Sequence, residues 1–149
     1  MIEFEGFEPA HLLAIHLQSG QAYLQPLLGD PDYQEALRRG GLSWTGRIGG
    51  SVVGCSGVLP QWSGRAIGWA LFTEEITAPS DWGRILRKTK SVLEEAHRRG
   101  YRRIETIVDA EYDAAHRWAT ALGFENETPG GMRSYSPQGR DCMLYARIH

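Results

Sequence analysis

The chain has 149 residues, of which 42% are apolar and 23% charged, ordinary proportions for a globular domain with a full core. A formal net charge of −2 and a pI of about 6.2 exclude the strongly basic balance of a general nucleic-acid binder. No apolar run reaches the roughly 20 residues of a membrane helix, and two cysteines without Cys-x-x-Cys or Cys/His ligand spacing argue against a disulfide scaffold or a metal site.

The first residues, "MIEFEGFEP", are acidic and lack a long apolar segment, so they do not read as a secretory signal. Cys55 and Cys142 are therefore expected to be reduced, buried thiols of a cytoplasmic protein. Ile2, Phe4 and Phe7 nearly alternate with glutamates, which predicts a short strand. Pro9 can open a helix, and apolar residues at 10, 13, 14 and 17 give it a stripe. Asp30 and Pro31 start a second helix, "DPDYQEALRR", with acids first, arginines last and Gly40 just beyond.

From 42 to 76 the texture changes. "LSWTGRI", "SVVGCSGVL" and "AIGWALFTEEI" read as three antiparallel strands joined at Gly49–Gly50 and at "PQWSGR". The third is almost wholly apolar over 66–72 and is expected to be covered on both faces. A long helix follows over 81–99, with Ser80 as its cap. Trp82, Ile85, Leu86, Thr89, Val92, Leu93 and Ala96 share one face, and Gly100 ends it. "YRRIETIVDA" alternates as a strand, "EYDAAHRWATAL" is helical, and "GFENE" and "CMLYARI" are the last two strands. The order predicts one α/β (α+β) domain over 1–149. Its mixed sheet has about seven strands with about four helices, parallel where the long helix returns the chain.

That order, together with "ALGF" at the end of the last helix and Ala115 near its start, resembles the GCN5-related N-acetyltransferase (GNAT) superfamily. The resemblance covers nearly the whole chain. It implies acetyl-CoA as co-substrate and transfer of its acetyl group to an amine acceptor, on a small molecule or a protein. It assigns the thioester to the backbone at Phe72 and Thr73, and the diphosphate to the helix start at Trp82, Gly83, Arg84 and Arg87. Three positions depart from the family pattern. The glycine loop (Q/R-x-x-G-x-G/A) retains only Gly83. The tyrosine usual four residues before the last glycine is Ala119. The asparagine usual at the start of that helix is Tyr112.

Glu74, beside Glu75 at a strand end, is a candidate base acting through water. Tyr112 and His116, one helical turn apart, are candidate acids. Tyr135 and Tyr145 carry no signal beyond packing. Trp62, alone among five tryptophans, falls in a turn and is expected to be exposed. Between 84 and 103 there are eight basic residues and two acids, which suits either a phosphate-rich ligand or a solvated helix face. The tail "YSPQGRDCMLYARI", with "RRIE" and "RWATALGF", also resembles phage and prophage proteins of this fold related to an internal virion protein of short-tailed phages. That likeness implies a second possibility: a virion-associated binding or assembly module without catalysis, with a phage or host protein as partner.

Overall fold

The computed structural model describes residues 1–149. Seven strands form one sheet: β1 (Glu3–Gly6), β2 (Leu42–Ile48), β3 (Ser51–Trp62), β4 (Arg65–Phe72), β5 (Arg103–Asp109), β6 (Glu125–Asn126) and β7 (Cys142–Ile148). Their spatial order is β1-β2-β3-β4-β5-β7-β6. Every pairing is antiparallel except β4 with β5. The helices are α1 (Pro31–Arg39), α2 (Pro79–Arg98) and α3 (Asp113–Ala121). The mixed sheet and the α2 crossover follow the predicted plan.

Local chemistry explains most of the boundaries. Asp30 caps α1 through its carboxylate, which accepts the Asp32 and Tyr33 N–H groups. Gly40 stays right-handed after α1, and the left-handed turn falls one residue later at Gly41. Ser80 does not cap α2. The helix begins at Pro79, whose fixed φ and missing N–H suit a first position. The predicted helix near 10–17 is instead a 3-10 segment over Pro9–Ala14, and a second, Ser19–Gly29, lies in a stretch with no periodic signal.

Alternation along the strands sends side chains to two cores. Ala66 and Phe72 of β4 and Ile104 and Val108 of β5 face α2 and α3. Leu71 faces the other way, into Leu12, Leu28 and Leu37 from the 3-10 segments and α1. The middle of β4, expected to be covered on both faces, is only half-buried from Ile67 to Ala70. Both cysteines are free and buried. No helix is long and apolar enough to cross a membrane.

At the lower end of the sheet, Glu105 is buried beneath two guanidiniums. Arg65 Nη2 donates to its Oε2 at 2.6 Å, Arg103 bonds the same carboxylate, and Arg103 also reaches Glu127. These bonds, Arg65 first, hold the Glu105 carboxyl at about 2, well below its ordinary 4.5. A depressed folded-state value means stability that is present above the unfolded pKa and lost as pH falls toward the folded one. Urea unfolding is expected to show stability dropping between pH 5 and pH 2. Glu105→Gln, less stable at pH 7, is expected to lose less over that window.

Candidate active site

The parallel ladder between β4 and β5 lasts only three residue pairs, Arg65–Arg103 to Ile67–Glu105. Beyond it the strands part. Odd-numbered residues of β4 pair with β3 (Thr73 N–H donates to Val53 O at 2.9 Å), so the peptide groups of Ala70 and Phe72 point into the gap. Of the two expected thioester contacts, the Phe72 N–H thus faces the cleft, while buried Thr73 turns its N–H to β3.

Cavities open on both faces of the gap. On the α2 and α3 side, one of about 540 Å³ is walled by Phe72, Trp82, Gly83, Leu86, Arg117 and Trp118. On the side of the 3-10 segments, one of about 510 Å³ is bounded by Ser19, Tyr23, Ile107, Asp109, Tyr135 and Arg140. Tyr112 lines both. A crevice of about 310 Å³ between the parted strands shares Tyr23 and Ile107 with one and Ala70 and Trp118 with the other. Ala119 lines this crevice, as does Gly68, so α3 contributes no phenol to it.

Phe72, Trp82 and Trp118 meet edge to face, with centroids 5.2–6.1 Å apart. They wall the first cavity without filling it. The Trp82 indole is fixed by donating to Ile76 O at 3.0 Å. The start of α2 is largely committed to holding the N-terminus. Buried Asp81 accepts the Ile2 N–H at 2.8 Å, Arg84 Nε donates to Ile2 O at 3.2 Å, and the Asp81 and Trp82 amides both bond Ala78 O. What remains for a phosphate is cationic. Arg87 and Arg117 are exposed and make no ion pair. A Cβ on Gly83 would meet only Arg87 Nη1, at 3.6 Å, so the helix backbone lies open beside that guanidinium. An apolar slot ending at an open glycine and two unpaired guanidiniums fits the pantetheine arm and phosphates of acetyl-CoA. It does so without the amide cradle of a glycine loop.

Tyr112 precedes α3, its ring closing over Gly20. Burial, and then the nearby Glu74 carboxylate, raise its phenol pKa, so it keeps its proton at neutral pH. Exposed Glu74 accepts the Ser19 N–H at 3.0 Å, at the edge of the second cavity. His116 is turned away. Its Nε2 donates to Ala110 O at 3.0 Å, leaving Nδ1 to accept the Tyr145 hydroxyl at 2.8 Å, and it lines neither large cavity. Asp109 and Glu111 are both bonded by Arg140, which ties the loop before β7 to the end of β5. Trp62 is 65% exposed at the far end of the sheet, under the Arg65 guanidinium at 4.3 Å.

Gln18, Gln21, Tyr23, Arg117 and Trp118 line these cavities unanticipated. The glutamines sit in a segment without periodicity, and Trp118 shares a helical face with Ala115 and Leu122, the spacing of a core residue. No cluster of three or more His, Cys, Asp or Glu is placed to hold a metal.

No family model and no curated protein matches the chain. Solved structures do. Ribosomal-protein-alanine N-acetyltransferase from Brucella melitensis superposes with a TM-score of 0.76 at 17% identity, covering 99% of each chain. Ard1 from Thermoplasma volcanium gives 0.75 at 16%, covering 99% of this chain and 97% of its own. Arabidopsis thaliana Naa50, in complex with the bisubstrate analogue CoA-Ac-MVNAL, gives 0.74 at 16%, covering 99% of each. At such identities the likeness establishes the fold, which is that of the GNAT acetyltransferases.

A Cβ at Gly20 would stand 2.4 Å from the Tyr112 ring. Gly20→Ala is expected to displace that ring and to cost about 1–3 kcal/mol of stability in urea unfolding.

Proposed function

We propose that the protein transfers the acetyl group of acetyl-CoA to an amine that approaches from the opposite face of the sheet. The observation that carries this reading is the gap between β4 and β5, with a cavity on each face and Tyr112 in both. The solved structures of like fold lend support, since several are acetyltransferases and one holds a bisubstrate analogue.

In this reading the first cavity takes acetyl-CoA, with Phe72, Trp82 and Trp118 along the pantetheine arm and Gly83, Arg87 and Arg117 at the phosphates. The thioester supplies the acyl carbon, to which the free amine forms a C–N bond as the C–S bond breaks. The Phe72 N–H is the donor aimed where the thioester oxygen gains charge. Tyr112 donates its proton to the departing sulfur, a role its raised pKa suits because the phenol stays protonated. Glu74, exposed beside Ser19, takes the ammonium proton through water. His116 contributes by fixing Tyr145 and the start of α3.

A second reading is favoured by one observation. The Phe72 N–H and Ala70 O that face the gap are already bonded by Gln21. With Ala119 in place of a tyrosine, the same fold would serve as a binding module without catalysis, as the phage-protein resemblance implies.

Titration with acetyl-CoA separates the two. Saturation at 100 times the dissociation constant should add about 2.7 kcal/mol of stability, raising Tm by roughly 5–10 °C for a domain this size. Tyr112→Phe is expected to lower kcat about a hundredfold with little change in KM. Absence of both heat and melting shift would leave the binding-module reading.

A further inference from the structure

The edge of β4 that faces the gap is not left unpartnered. Gln21 Nε2 donates to Ala70 O at 2.7 Å, and the Phe72 N–H donates to Gln21 Oε1 at 3.0 Å. One primary amide thereby makes the two bonds that the N–H and C=O of one residue in a neighbouring parallel strand would make along this edge. The arrangement is reinforced: Gln18 Nε2 donates to Gln21 Oε1 at 3.1 Å, and the Gln18 N–H donates to Phe72 O at 2.9 Å. Residues 18–21, at the start of the second 3-10 segment, thereby cover the open edge of β4.

The same segment builds the opposite cavity. Ser19, Gly20 and Tyr23 form its wall, and Gly20 lies under the Tyr112 ring. Gln18 and Gln21 line the α2-side cavity. One continuous 3-10 backbone joins these residues, so the Gln21 amide and the wall of the opposite cavity belong to the same segment.

We infer that Gln21 is a displaceable positioning residue whose side-chain amide holds the open edge of β4 in the free protein and yields it to the acyl donor. This rests on the acetyl-transfer reading above. The pantetheine arm of an acyl-CoA carries two secondary amides, and the N–H of one with the C=O of the other supplies the donor and the acceptor that Ala70 O and Phe72 N–H require. A donor amide added to this edge takes the place of the Gln21 amide, as in strand addition to any open sheet edge. Release of Gln21 carries Ser19, Gly20 and Tyr23 with it and reshapes the acceptor cavity. It also frees the Phe72 N–H, which the side chain otherwise keeps from the reaction.

The test is calorimetric titration of acetyl-CoA into the wild-type protein, Gln21→Ala and Gln25→Ala. Gln25 anchors the same segment to Ile15 O and the Leu17 N–H without touching β4. Gln21→Ala is expected to bind about tenfold tighter, because two competing hydrogen bonds are gone, while Gln25→Ala stays within about twofold of wild type. Equal or weaker binding by Gln21→Ala overturns the inference and leaves acetyl transfer standing. Equal tightening by Gln25→Ala also overturns it, since any loosening of the segment would then suffice. If none of the three proteins binds, acetyl transfer falls and this inference with it. Amide hydrogen exchange gives a readout that simple destabilisation does not. Acetyl-CoA on the wild-type protein should speed exchange across residues 19–23, and unchanged exchange there despite binding would overturn the coupling between the two cavities.

Discussion

The site depends on one constraint: backbone N–H and C=O groups must find partners, and β4 loses its neighbour after Ile67. A sheet that simply ended there would expose an edge. Here the chain continues on both sides, so the same polar groups become the floor of a cleft. The α2 crossover runs along one face, and the 3-10 segments close the other. Two cavities on opposite faces follow from this geometry together with side-chain alternation, which turns Phe72 to one side and Trp69 and Ile107 to the other.

The start of α2 meets a second demand. A helix N-terminus attracts anions when its first amides are free. In this chain Pro79 offers none, Ala78 O takes two, and the Asp81 carboxylate and Arg84 guanidinium are turned to Ile2. Those bonds dock β1 to the rest of the molecule at the expense of an amide cradle. The unpaired guanidiniums beside Gly83 and the first cavity belong to Arg87 on α2 and Arg117 on α3. Flexible guanidiniums hold an anion with less geometric restriction than a fixed nest of amides.

Much of the fold was legible in the sequence, because periodicity reports which face is buried. The α2 face from Trp82 to Ala96, the alternation of Ile104, Thr106 and Val108, and the Asp30 cap all read correctly. The helix expected near 10–17 became a short 3-10 turn, since a stripe of leucines specifies burial without specifying the winding that achieves it. The site was less legible. Glu74 and Tyr112 could be placed near the gap because they flank elements whose ends could be located. Gln21 was invisible because its role comes from an edge that opens across the sheet, about fifty residues away in sequence. His116 looked competent from its type alone, and only the positions of Ala110 O and Tyr145 decide that both its nitrogens are occupied.

Ala119 and Tyr112 bear on where chemistry can happen. Ala119 is buried within α3, whereas Tyr112 stands just before the helix with non-helical backbone, so the two positions lie toward opposite ends of α3. A phenol at 119 would project into the crevice beside Gly68. The phenol at 112 stands at the mouth, where the two cavities meet. The reacting atoms would then lie near the upper end of β4, beside the Phe72 N–H and Glu74, and away from the apolar floor. This is the point at which Gln21 sits, and where Gly20 leaves room for the Tyr112 ring. Tyr112, the Phe72 N–H and the segment that bonds that N–H thus converge near one strand end. A single displacement there would uncover the N–H and alter the surroundings of the Tyr112 phenol together.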